Sequence, residues 1–494
     1  MLSVVNTCGL LGINGYMVSV ETDISKGIPA FDIVGLGDAA VKEAKERVRA
    51  AIRNSDFEFP SRRITVNLAP ADMKKEGTSY DLPIAAGILA ATGVISRDAL
   101  SGCVLLGELS LDGTLRPVNG VLPKTITARE KGFEAIITPC ENAGEASVVK
   151  GIKVIPASNL SELVKHFNGE INLPYAENDA DLFSDEESKN QPDFADVKGQ
   201  EHVKRALEVA AAGGHNLSMI GSPGSGKTML ARRMPSILPD LTFEEALEIT
   251  KIYSVAGLLP PDSSLITKRP FRAPHHTISS ISLIGGGRIP KPGEVSLAHL
   301  GVLFLDELPE FGKNTLEVLR QPLEDGFVNI SRINASITYP CSTTLIAAAN
   351  PCKCGYYLDD TRECTCTQNE VRTYLGRLSG PLLDRMDIQV EVPSLRYSEL
   401  NSDTVSESSA DIRKRVNKAR SIQRKRFSQE GIYCNSQMTS LMVRKYCRLG
   451  KEEADLLRKA FSRLGLTARS HDKILKVART IADLEGAENI NAVH

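Results

Sequence analysis

Apolar and polar residues follow several distinct rhythms along this chain, and each change of rhythm marks an expected change of architecture. Residues 15–22 and 63–68 read as strands. Residues 39–55 carry Val41, Ala44, Val48 and Ile52 at the spacing of a helix with one apolar face. From about 172 to 192 the chain turns polar and acidic, with Glu177, Asp179, Asp181, Asp185, Glu186 and Glu187, and no periodic apolar face survives. Such a composition cannot bury enough surface to order itself, so this stretch reads as a linker. Beyond it, a helical pattern runs to Ala210 and a short apolar run occupies 217–220. Two further runs, 302–305 and 345–349, are apolar throughout, as in strands buried on both faces of a parallel sheet. Residues 328–333 and 335–338 read as a hairpin with Arg332 near its turn. Residues 411–426 form an amphipathic helix, its apolar face built from Ile412, Val416 and Ala419 and continued by Phe427. The expected class is α/β. An α+β domain spans 1–170, an acidic linker 171–192, a parallel-sheet core 193–395 with a cysteine-rich insertion at 351–367, and a helical part 396–494.

Composition sets limits on this picture. A length of 494 residues suggests about three domains. Hydrophobic content of 42% and charged content of 24% are ordinary for a soluble globular protein. A net charge of −2 carries no global sign of nucleic-acid binding, so any such activity must reside in local patches. No apolar run approaches the ~20 residues of a membrane span, and the first residues lack the regions of a signal peptide. Ten cysteines are too few for a disulfide scaffold at this length, and four of them cluster. The expected compartment is a reducing cytoplasm.

The chemistry starts at Gly221-Ser222-Pro223-Gly224-Ser225-Gly226-Lys227-Thr228, which lies between a strand pattern and a helix pattern. That order is the context of a phosphate-binding P-loop. Its glycines let backbone N–H groups close around phosphate, and the helix N-terminus adds partial positive charge. Lys227 is expected to reach the β- and γ-phosphates of ATP, and the Thr228 hydroxyl to ligate Mg²⁺. The run at 302–305 ends in Asp306-Glu307. Asp306 suits Mg²⁺, and Glu307 suits orienting or deprotonating the attacking water. Asn350 ends the next buried run and suits a γ-phosphate sensor. Arg385, within residues 379–387, is a candidate arginine finger, and Arg469 offers a second arginine for the γ-phosphate. A surface ion pair is the bland alternative for either.

Two resemblances follow. Residues 74–79 with 82–89, and then 107–120, are similar to the catalytic region of Lon-type proteases. Ser79 falls on the serine position, but the lysine position holds Leu122, and Lys124 lies two residues out of register. Without an adjacent base a serine hydroxyl is a poor nucleophile, so the domain is expected to keep the fold without peptidase activity. The alternative for Ser79 is a cap on the following helix. Over its whole length the chain resembles the magnesium-chelatase-related AAA+ family typified by ComM and YifB. The residues that carry this resemblance are Arg272-Ala273-Pro274-His275-His276-Thr277, Gly285-Gly286-Gly287, both nucleotide motifs, Asn350 to Gly355, Ser379 to Asp387, and Ala478 to Leu484. The resemblance implies a Lon-like domain, a P-loop AAA+ core and a helical lid. It also implies a ring of six that is driven by ATP and promotes branch migration of DNA without sequence specificity. The alternatives are a chelatase-type ATPase that remodels a partner protein and, below it, an ATP-dependent protease.

Cys352, Cys354, Cys364 and Cys366 form two C-x-C pairs, and four thiolates at short spacing suit tetrahedral Zn²⁺ in a structural role. Reduced cysteines packed in a loop are the alternative. Adjacent histidines point differently on a helix or a strand, so His275 and His276 read as structural or subunit-contact residues. Arg288 and Lys291 beside the glycine triplet, and Arg332 in the hairpin, are candidate phosphate contacts. The eight cations between Arg413 and Arg426 suit DNA, a solvated face or a subunit contact.

Overall fold

The computed structural model describes the chain except residues 177–191, 261–262, 288–289, 333–334, 358, 360–361, 378–379 and 395–405. The acidic residues of the expected linker, and Arg288 and Ser379, therefore lie outside the described residues. The chain divides into two compact units, Met1–Ser184 with Ala246–Thr267, and Asp185–Glu245 with Lys268–His494.

The first unit is built on a seven-stranded mixed sheet. Its order is Ala30–Val34, Arg63–Ala69, Asn14–Ser25, Leu2–Leu11, Cys103–Leu105, Ala135–Pro139, Lys153–Ala157. Both predicted strands are present, and the helix Ala39–Asn54 buries Val41, Ala44, Val48, Ala51 and Ile52. The helix Asp81–Thr92 is buried along nearly its whole length, as its uniformly apolar sequence requires. Its one buried charge, Asp81, is held by Arg47 at 2.7 and 3.0 Å and by the Leu109 N–H. Ser79 does not cap this helix: Tyr80 stands at the N-cap, and no side chain caps it. Order also runs past the expected start of the linker. Leu173 joins the core, and the Ala176 N–H donates to Val154 O.

The sequence pattern assigns 246–267 to the nucleotide-binding core, but in the structure these residues pack in the first unit. Buried Glu145 accepts hydrogen bonds from the Ser254 hydroxyl and the Leu122 N–H, and the Gly120 N–H donates to Ser254 O at 3.1 Å. Helical periodicity announces a face that needs a partner without naming the partner. Lys124 is buried in the same unit, beside Cys8 and Glu145, and its ammonium donates to Asn119 O at 3.1 Å.

The second unit holds a five-stranded, all-parallel sheet in the order Phe271–Arg272, Val302–Leu305, Thr344–Ala349, Leu217–Ile220, Ile388–Glu391. The C-terminal helices Ser409–Arg426 and Ala468–Glu485 pack on the helix Glu201–Gly213 through Ile412, Val416, Ala419 and Leu484. A buried polar network fixes them there. Asp483 accepts from Arg479, Arg426 and Asn435, while Thr480 meets both Asn435 and the His215 ring, the latter at 2.7 Å. Every charge in the network has a partner, the condition under which buried ions are tolerated.

Burial pushes the Lys124 ammonium down to about 8 from its ordinary 10.5, with Cys8 and Glu145 partly offsetting the effect. Between those two values the unfolded chain carries a proton that the folded chain has released. Stability should therefore rise with pH across this window, by up to about 3 kcal/mol. Urea unfolding at pH 8 and pH 10 should show the rise in the parent protein, and Lys124→Met should remove this contribution.

Candidate active site

Parallel pairing brings three strand ends to one edge of the sheet. Leu217–Ile220 lies beside Thr344–Ala349 with Ile220 opposite Ala349, and Val302–Leu305 follows with Leu305 opposite Ala347. Gly221, Asp306 and Asn350 are the next residues on their strands, so they emerge as neighbours at the carboxyl ends, where open α/β sheets hold ligands. The Gly221 N–H donates to Ala349 O at 3.2 Å, tying the P-loop to the strand that carries Asn350.

Between strand and helix, Gly224 and Gly226 adopt φ of +80° and +90°, values that a side chain would disfavour. The helix Lys227–Ile237 begins immediately after them. The Lys227 ammonium is buried and donates to the carbonyls of Gly221 and Ser222, each at 2.8 Å. Burial lowers its pKa, and Asp306 opposes the shift. The Thr228 hydroxyl donates to Asp306 Oδ2 at 2.6 Å, joining a hydroxyl and a carboxylate suited to a hard divalent cation. The other Asp306 oxygen accepts the Glu307 N–H at 2.9 Å. Glu307 itself has φ of +51°, an uncommon conformation for a non-glycine residue. Asn350 is half-buried at the end of its strand.

Two residues here carry no catalytic role in the sequence reading. Gln200 opens the helix Glu201–Gly213 at φ +57° and donates to Ser225 O, inside the P-loop, at 2.8 Å. Its own Oε1 is buried and has no protein donor among the described residues, so an acceptor stands free beside the phosphate loop. A glutamine just before the helix that precedes the P-loop strand was its only signal. His276 lies with Nδ1 3.5 Å from Glu307 Oε2, and its ring is tilted against that of His275, with centroids 4.0 Å apart. The expectation that adjacent histidines diverge fails because residues 273–277 are neither helix nor strand. His276 thus stands where it can orient the Glu307 carboxylate.

Arg385 and Arg469 are brought together, but not at the P-loop. Both pair with Glu324, Arg385 closely and Arg469 at 3.6 Å, and Arg385 Nε donates to Arg320 O at 3.0 Å. They line a cavity of about 860 Å³ with Arg420, Lys473 and Lys476, and none of residues 221–228 takes part in its wall.

The four cysteines converge. Cys352 lies 3.3 Å from Cys354 and 3.7 Å from Cys364, Cys354 lies 3.6 Å from Cys364, and all four sulfurs fall within 4.8 Å of one another. Zn–S bonds of about 2.3 Å in a tetrahedron place sulfurs roughly 3.8 Å apart, so the donor set fits the ion. All ten cysteines are free of disulfides.

The basic helix Ser409–Arg426 is largely neutralised within its own unit. Arg415 pairs with Glu208 and Glu407, Arg426 with Asp483, Lys414 with Asp411, and Arg413 with Asp240. The hairpin formed by Phe327–Arg332 and Ala335–Pro340 is present, and its Tyr339 hydroxyl donates to Pro290 O at 2.9 Å. The glycine-triplet segment, where Gly285–Gly286 pairs with Lys291–Pro292, therefore lies against it and leaves Lys291 exposed.

Comparison with known proteins covers most of the chain, and one match, 193–400, runs through the residues 246–267 that pack in the first unit. Three family models match: magnesium chelatase, subunit ChlI, over residues 193–400; subunit ChlI of Mg-chelatase over 20–142; and the ChlI C-terminal part over 406–494. The competence protein ComM of Haemophilus influenzae is 45% identical over all of this chain and 96% of its own length. YifB of Escherichia coli is 44% identical over all of this chain and 95% of its own. Lon protease 2 of Bacillus subtilis is 29% identical over 25% of this chain and 22% of its own.

Two exchanges test the geometry. Lys227→Ala should abolish binding of a fluorescent ATP analogue. Glu307→Gln should leave that binding within a few-fold of the parent and lower phosphate release by on the order of 10²-fold or more.

Proposed function

The chain belongs to the magnesium chelatase subunit ChlI family, and from that premise we propose that it is an ATP-hydrolysing AAA+ ring motor acting on DNA. The observation that carries the ring is the separation of the site into two parts. Asp306, Glu307 and Asn350 gather around the P-loop, whereas Arg385 and Arg469 meet at Glu324 on the wall of a cavity that excludes it. A second copy of the chain would bring those arginines to the first copy's phosphates, most simply in a closed ring of six.

In this reading Thr228 and Asp306 hold Mg²⁺, which when bound neutralises charge on the phosphates. Lys227 exchanges the Gly221 and Ser222 carbonyls for phosphate oxygens. Glu307, steadied by His276, orients the attacking water and takes its proton, and Asn350 senses the γ-phosphate. Arg385 and Arg469 of the neighbouring copy face the charge that builds as the phosphoryl group departs. The four cysteines hold a structural Zn²⁺.

DNA as the substrate is supported by the name of one relative, a competence protein, and by the hairpin and the adjoining glycine-triplet segment, which leave Lys291 exposed. Contact would run through phosphates without regard to sequence, and the motor would drive branch migration in the cytoplasm. A chelatase-type motor remodelling a protein partner is the second reading, favoured by the descriptions of the three matching families. A Lon-like peptidase ranks below both. Leu122 occupies the lysine position, and Lys124 is engaged with Asn119.

Mixing variants tests the shared site. Arg385→Ala should bind nucleotide and lose about 10³-fold in turnover. Lys227→Ala should fail alone, and the two mixed should recover hydrolysis, because each supplies the half that the other lacks. A mixture as inactive as its components would reject the shared site. On four-way DNA junctions, ATP should drive strand exchange, and binding should weaken steeply with salt. ATP turnover without exchange would favour protein remodelling.

A further inference from the structure

We infer that the four-cysteine loop is a metal-dependent brace for the P-loop, so that occupancy of the thiol site sets the affinity for nucleotide. The inference rests on the zinc and nucleotide readings above and adds a physical link between them. The cysteine loop and the P-loop start side by side, because Gly221 is hydrogen-bonded to Ala349 and Cys352 comes only three residues later. Cys352 is fully buried and accepts the Gly355 N–H twice, at its sulfur (3.2 Å) and at its carbonyl (3.1 Å). Gly355, held at φ +90°, lies directly on the P-loop. A Cβ there would stand 2.5 Å from both Cγ and Cδ of Pro223. The far arm is tied down as well, since Asp359 accepts from the Ser394 hydroxyl at 2.8 Å just beyond the strand Ile388–Glu391.

Pro223 and Gly224 form the exposed crest of a glycine-rich loop, which must hold its backbone N–H groups in one arrangement to bind phosphate. Contact with Gly355 restricts that crest before the ligand arrives, and pre-ordering of this kind raises affinity. Gly355 is in turn fixed by Cys352, whose own place depends on a closed coordination sphere. Metal and nucleotide therefore become linked ligands, and linkage is reciprocal: nucleotide must also strengthen retention of the metal.

The full-length protein is the test material. Zinc is counted with a chromogenic chelator after thiol modification, and nucleotide affinity is read by titration with a fluorescent ATP analogue. The expected results are one zinc per chain, analogue binding weakened by on the order of tenfold when zinc is stripped and restored when it returns, and slower loss of zinc to chelator when nucleotide is bound. Gly355→Ala should keep zinc and bind the analogue comparably weakly. If that variant does not fold, Pro223→Ala removes the contact from the other side, and its affinity should no longer respond to zinc. Folded, zinc-free protein that binds the analogue as tightly as the loaded form would overturn the brace and leave the zinc assignment standing. A parent chain that takes up no zinc would overturn both, and one that binds no nucleotide would overturn the nucleotide reading itself.

Discussion

Parallel pairing of Leu217–Ile220 with Thr344–Ala349 is the constraint from which the rest of the second unit follows. Strands that run the same way place all their carboxyl ends on one edge. The P-loop, the Asp306-Glu307 pair and Asn350 are distant in sequence, yet each directly follows a strand of this one sheet. The strands can sit in the middle of the sheet because their side chains are almost wholly apolar, so both faces are covered. The first polar residue after each strand then marks the point where the chain leaves the core. Chemistry collects there because buried strands exclude it elsewhere.

Charge is handled differently at the edge and in the helical part. Around the P-loop, groups are left with capacity for a ligand: Gln200 Oε1 has no protein donor among the described residues, and Lys227 rests on main-chain carbonyls rather than on a carboxylate. In the C-terminal helices, Asp483, Arg479, Arg426 and Asn435 satisfy one another and lock the helices to the core. A fully partnered network makes a firm mount, and a firm mount is what arginines need if they serve a site beyond their own chain. Glu324 keeps Arg385 and Arg469 together at that position.

What the sequence determined by itself is the local chemistry: the glycine loop, the apolar runs ending in Asp306-Glu307 and Asn350, the four cysteines, and the helix faces of Ala39–Asn54 and Ser409–Arg426. These are short-range patterns whose meaning comes from covalent spacing and burial. Tertiary structure alone decided which of them meet. It drew Ala246–Thr267 into the first unit through Glu145 and Ser254, and it set His276 against Glu307 from an irregular loop that no periodicity describes. It matched the cations of Ser409–Arg426 to carboxylates as distant in sequence as Glu208. It laid Gly355 on Pro223, and it took Arg385 and Arg469 away from the phosphate loop of their own chain. A sequence records what each residue can offer. Which partner accepts the offer depends on packing among segments hundreds of residues apart, and one-dimensional spacing carries no measure of that distance.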